Sequence, residues 1–190
     1  MKNKKGLIIA LVVIAVIAIF AGSIVSSYNS LVDERETVTN AQANIQTMLQ
    51  RRADLIPNLV NTVKGYAAHE EEVYTAIADA RSKLSGATTV DEMEKANSEL
   101  DSAISRLLVV VENYPELKAD TQFINLQDEL AGSENRISVA RKDYNDVAKA
   151  YNTHIKKFPA NIIASMFNFE QAEYFEASSE AQTVPSVNFD

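Results

Sequence analysis

The sequence predicts an all-α protein: an N-terminal transmembrane helix followed by an antiparallel up-down four-helix bundle. Three observations carry this. Leu7 to Val25 contains no charged residue, whereas charges are frequent through the rest of the chain. From Tyr28 onward, apolar residues return every three or four positions, the period of one helix face, without the alternation of a half-buried strand. Only 5 Gly and 4 Pro occur in 190 residues, too few for the turns of an all-β or α/β fold.

The first element is the anchor, residues 7–25. Its 19 residues, LIIALVVIAVIAIFAGSIV, rise roughly 28 Å as a helix, close to the ~30 Å hydrocarbon core of a bilayer. A cleaved signal peptide carries an apolar run of only about 7–15 residues. A retained anchor is therefore the reading, although Ala21 and Ser23 have the size of a cleavage site. Lys2, Lys4 and Lys5 lie in the basic tail 1–6, while Asp33, Glu34, Arg35 and Glu36 follow the span. The positive-inside rule puts the N-terminus in the cytoplasm and the remaining domain in the periplasm or on the outer face of a cell membrane. Ala18, Gly22 and Ser26 are four apart on one face of the anchor. Small residues at that spacing let two helices approach closely, so these are the candidate self-association residues.

Residues 28–157 read as the bundle. A first helix, Tyr28–Arg52, aligns Leu31, Val38, Ile45 and Leu49. A second, Leu55–Ser85, aligns Ile56, Leu59, Val63, Ile77 and Leu84 and ends at Ser85–Gly86, a good helix stop. Thr89 and Glu92 have capping-box spacing and open the third, Asp91–Tyr114, which halts before Pro115. The fourth, Asp120–Lys157, uses Asp120 as its N-cap and stops before Pro159. Gly132 inside it costs about 1 kcal/mol against Ala without breaking it. Pro57 sets the boundary between the first two, since a residue preceding proline avoids the α region. A tight turn there gives four helices. The alternative is one kinked helix, because the apolar phase runs on through Ile45, Leu49, Arg52, Ile56 and Leu59; three long helices would then result.

Composition narrows the chemistry. With no Cys there is no disulfide, thiol nucleophile or Cys-ligated metal. The formal net charge is −8, and past the anchor 15 basic residues face 26 acidic ones, the wrong sign for a phosphate backbone. His69 opens a His-Glu-Glu-Glu run, but a zincin helix needs a second His where Val73 stands. A di-iron bundle needs a Glu three residues before His154, where Tyr151 stands. No P-loop, nucleophile elbow or dinucleotide fingerprint occurs. The expectation is a non-enzyme with no catalytic residue, metal or cofactor. Tyr144–Asn145 and Tyr151–Asn152 repeat seven apart and read as core tyrosines bonded through their hydroxyls. Asn58 and Asn61, flanking Leu59–Val60, read as turn or inter-helix hydrogen bonders, with partner contact as the alternative.

The segment 158–190 holds five of the seven Phe: Phe158, Phe167, Phe169, Phe175 and Phe189. It reads either as a short helix closing the end of the bundle or as an exposed patch that meets lipid or protein. The candidate contact residues are Ile162, Ile163, Phe167, Phe169, Tyr174 and Phe175. With a turn at Pro57 the helix count brings this segment back to the membrane; with one continuous helix it ends far away.

The strings YNSLVDERETVTNAQANIQTMLQRRADLIPNLVNTVKGYAAHE, ELAGSENRISVARKDYNDVAKAYN, FPANIIASMFNF and VPSVNFD together resemble the LemA family of bacterial membrane proteins. The resemblance covers most of the chain past the anchor. It implies a transmembrane helix, a soluble antiparallel helical bundle and no enzymatic activity. The function expected from residues and resemblance together is a membrane-anchored scaffold whose bundle docks other proteins, with no nucleic-acid partner. The alternative is a membrane-remodelling or lipid-surface protein acting through self-association, as a homo-oligomer, and through the aromatic tail.

Overall fold

A computed structural model describes residues 2–176, with side chains from residue 6 onward; Phe189 and the closing VPSVNFD lie outside the described residues. Among the described residues there is no strand. Six helices follow in order: α1 (Lys2–Lys64), α2 (Glu71–Gly86), α3 (Val90–Val111), α4 (Pro115–Lys118), α5 (Thr121–His154) and α6 (Ala160–Met166). The all-α expectation holds, and α1 contains a stretch long and apolar enough to cross a membrane, none of it buried within the protein.

The tight turn expected at Pro57 is not made, because α1 runs straight through that residue. Proline has no N–H, so the carbonyl four residues back, that of Ala53, loses its helical partner. Ala53 is fully buried, and an orphaned carbonyl there would be costly. The Nε of Arg81, from α2, donates to that carbonyl at 2.9 Å. A residue 28 positions further along the chain thus supplies the bond that proline removed.

The chain turns instead over residues 65–70. There the Tyr66 and Ala67 amides both donate to the Val63 carbonyl. The Tyr74 hydroxyl donates to the buried Ala67 carbonyl at 2.6 Å, and the Lys64 ammonium sits 4.9 Å from the centre of the Tyr74 ring. The expected second helix, Leu55–Ser85, is therefore split, its first part belonging to α1. The continuous helix through Pro57 that the alternative offered does form, but the break at 65–70 means that three long helices do not result.

The other ends match the sequence closely. Thr89 Oγ1 accepts from the Glu92 amide at 3.2 Å, and the Glu92 carboxylate accepts from the amides of Thr88 and Thr89. Those donors, Thr88 foremost, hold the Glu92 carboxyl down to about 2. Asp120 caps α5 by accepting from the Gln122 and Phe123 amides. The Phe123 amide, followed by the Tyr66 hydroxyl, keeps its carboxyl below the ordinary range.

The described residues form two compact units, one of residues 2–40 and 146–172, the other of 41–145 and 173–176. In the second, Gln42 bonds the Thr88 carbonyl and Arg52 bonds Asn97, so α3 runs parallel to α1. Ala53 meets Arg81 while Lys64 meets Tyr74, so α2 runs opposite to α1. Arg52 meets Glu134 and Tyr66 meets Asp120, so α5 also runs opposite. Ile45, Ile56, Leu59, Ile77, Met93, Leu100, Leu107, Phe123 and Ile137 fill this unit's core. In the first unit Leu31, Ala148, Tyr151, Ile155 and Ile163 are buried together with the inner face of α6.

The Arg81 bond has a measurable signature. Arg81→Ala is expected to destabilise the folded chain by about 1–3 kcal/mol, the cost of leaving a buried carbonyl unpaired. In a Pro57→Ala background the restored amide at position 57 can bond Ala53, and the same substitution should cost much less. A double-mutant cycle in urea measures this directly; equal costs in both backgrounds would show that the two residues are not coupled.

Candidate functional site

The most concentrated polar chemistry in the interior centres on Arg52. This residue is 4% exposed, at mid-length in the part of α1 belonging to the second unit. One terminal nitrogen donates to Asn97 Oδ1 at 2.7 Å and to the Glu134 carboxylate, and the other donates to Asp101. Asn97, itself buried, donates in turn to Asp101 at 3.1 Å. A planar guanidinium suits this role because it presents several donors in a fixed fork. One side chain thereby cross-links α1, α3 and α5. The sequence signal was present in the apolar phase itself, where a cation occupies the place of a core residue between Leu49 and Ile56.

The repeated Tyr–Asn pairs act on the backbone of the tail. In the first unit, Asn152 donates to the Ala172 carbonyl and accepts from the Ala172 amide, both at 2.8 Å. The Tyr151 hydroxyl donates to the Glu170 carbonyl at 2.9 Å. In the second unit, Asn145 does the same to Phe175 at 2.8 and 3.0 Å, and Tyr144 donates to the Glu173 carbonyl. The Phe175 ring meets Tyr144 edge-on and lies under the Arg141 guanidinium. Burial raises the pKa of both tyrosine hydroxyls. Sequence reasoning identified the tyrosines as hydrogen-bonded core residues, but not the part played by the asparagines.

The six candidate contact residues divide. Ile162, Phe167 and Tyr174 are exposed, Phe169 is half-buried, and Ile163 and Phe175 are buried. Ile163 is inward because α6 buries Ala160, Ile163 and Ala164, one face of a helical turn. Asn168 then adopts a left-handed φ of 54°, and the Phe169 amide bonds back to the Ala164 carbonyl at 2.9 Å, a Schellman ending. This ending sets Phe167 and Phe169 against Tyr28, with ring centres 4.8 and 5.7 Å away. The tail segment thus meets the residue three positions after the apolar span although no turn occurs at Pro57. The expected dependence of one on the other does not hold.

Ala18, Gly22 and Ser26 are exposed on α1, and a Cβ at Gly22 would meet nothing within 4 Å. His154 Nδ1 lies 2.8 Å from Glu34, and His69 is exposed. Among the described residues no group of three or more His, Asp and Glu is placed to hold a metal ion. Asn58 and Asn61 are exposed and do not bond between helices through their side chains. They line an open groove of about 540 Å³ with Thr62, Gln122, Asn125, Leu126 and Glu129.

A sequence model of the LemA family matches residues 41–189. The chain belongs to the LemA family. Its relatives include magnetosome protein MamQ 2 of Paramagnetospirillum magneticum, 28% identical over 94% of this chain and 76% of the relative. Magnetosome protein MamQ of Magnetospirillum gryphiswaldense is 25% identical over 93% of this chain and 74% of its own length. Protein LemA of Metamycoplasma hominis is 29% identical over 87% and 76%. The LemA match spans the Arg52 cluster, the amide-lined groove and both Tyr–Asn pairs, so all three lie inside the family region.

Arg52→Met should test the cluster. Removing the guanidinium leaves Asn97 and two carboxylates short of a donor. The expected loss is about 1–3 kcal/mol, moderated because Asp101 and Glu134 are more than a third exposed and can rehydrate. Urea denaturation measures it, and an unchanged midpoint would show that the cluster contributes nothing to stability.

Proposed function

We propose that this LemA-family protein is a membrane-anchored, non-catalytic scaffold: α1 holds it in the membrane, and a four-helix bundle, formed by the later part of α1 with α2, α3 and α5, docks other proteins. The observation that carries this reading is the division of polar side chains. Inside, Arg52 and Asn97 are engaged in cross-links between helices, while the groove edged by Asn58, Asn61, Gln122 and Asn125 leaves amides free at the surface. Amides both donate and accept, so such a groove suits a polypeptide partner better than a charged small molecule. Likeness to proteins named for the magnetosome, a cell structure and not a reaction, supports a structural role. Lys2, Lys4 and Lys5 before the span support an orientation with the bundle on the far side from the cytoplasm.

Affinity capture of the detergent-solubilised full chain, followed by mass spectrometry, should yield a defined protein partner. Asn125→Arg, which fills the groove with a cation, should lose that partner while the unfolding midpoint stays unchanged. Co-purification of lipid and large homo-assemblies alone would favour the membrane-remodelling reading instead. Because the chain has no cysteine, Val109→Cys, at an exposed position of α3, reports orientation. A membrane-impermeant thiol reagent should label it in intact spheroplasts; labelling only after lysis would place the bundle in the cytoplasm.

A further inference from the structure

The first unit carries an apolar face that nothing among the described residues covers. Phe158 is 81% exposed, Met166 72%, Phe167 52% and Ile162 51%. Residues 158, 162 and 166 are four apart, and Ile162 and Met166 form one stripe of α6, opposite the stripe that packs inward. A helix apolar on both faces is half-finished in water.

Its position identifies the cover. Tyr28 lies three residues beyond Val25, the last residue of the apolar span, and so about 4.5 Å further along the helix. The polar headgroup layer adds roughly 5–8 Å to each side of the hydrocarbon core. Tyr28 therefore sits at headgroup depth, where tyrosine is commonly found. The Phe167 ring touches it at 4.8 Å, which sets the end of α6 at the same depth. The exposed face of α6 is thus continuous with the lipid-facing surface of α1. Lys156 and Lys157, both exposed just before this segment, add positive charge suited to anionic headgroups.

We infer that α6 seats in the bilayer interface beside α1, with Phe158, Ile162, Met166 and Phe167 immersed among lipid headgroups and upper acyl chains. This goes beyond the scaffold reading. The membrane then grips the chain at two places distant in sequence, and rotation of α1 about its own axis is restrained.

The absence of Trp makes a direct test possible. Phe158→Trp and Met166→Trp each introduce a single reporter at an exposed position where folding is undemanding. Each full-length variant is reconstituted into vesicles of phosphatidylcholine and phosphatidylglycerol, with or without phosphatidylcholine brominated near the top of its acyl chains. Seating in the interface predicts a loss of Trp emission in the brominated vesicles together with shielding from iodide in the water. Emission that iodide quenches and bromine does not would show the face open to solvent. Shielding from both would show that protein, a partner or a second copy, covers it. Either of these results overturns the proposal.

Discussion

The fold depends on the hydrogen bond from Arg81 to the Ala53 carbonyl. A proline at mid-helix normally ends or sharply kinks a helix because a carbonyl loses its donor and the ring crowds the preceding turn. Here the carbonyl finds a donor on α2, and α1 continues for seven residues past Pro57 to Lys64. Without that continuation, Leu59 and Val63 would leave the α1 face on which Ile45, Leu49 and Ile56 are buried. The turn at 65–70, built on Tyr74 and the Val63 carbonyl, would have no helix end on which to form.

Arg52 and Arg81 divide two tasks that leucine could not perform. Apolar packing is non-directional and tolerates sliding, so it fixes how much surface is buried more firmly than which turn meets which. A guanidinium that must meet Asn97, Asp101 and Glu134 allows only one register of α3 and α5 against α1. The energetic return of such buried polar contacts is small once desolvation is counted. Specifying alignment is the stronger reason for a cation in an otherwise apolar stripe.

The sequence was informative where local chemistry decides and silent where distant residues do. The Thr89 capping box, the Asp120 cap and the stop before Pro159 each use residues within a turn of one another, and each was readable. So was the apolar stretch 7–25, which is long and apolar enough to cross a membrane and is exposed throughout. Pro57 was misread because the donor that compensates for it, Arg81, lies on a different helix, 28 residues beyond the Ala53 carbonyl it serves. The turn at Gly65 was passed over because Val63 and Ile77, fourteen apart, still fit a helical phase across the gap. Arg52 stands as the last residue of the first expected helix, a place where cations are common, even though the apolar phase written through it already placed it inside.

The tail shows why a segment with little secondary structure can still position aromatic residues. An asparagine side chain that both donates to and accepts from one residue's backbone imitates a neighbouring strand. It reads no side chain, so Glu170, Glu173 and Tyr174 are free to face water. Seven residues of helix rise about 10.5 Å and three extended residues span about 10 Å, so pairs seven apart suit held residues three apart. What fixes Phe167 and Phe169 is therefore not their own burial but two restraints on the backbone, one between them and one after them. The Schellman ending at Asn168 sets the direction of exit from α6, and Asn152 holds Ala172 a few residues later. Together those restraints present both rings to Tyr28, at the point where α1 leaves its apolar span.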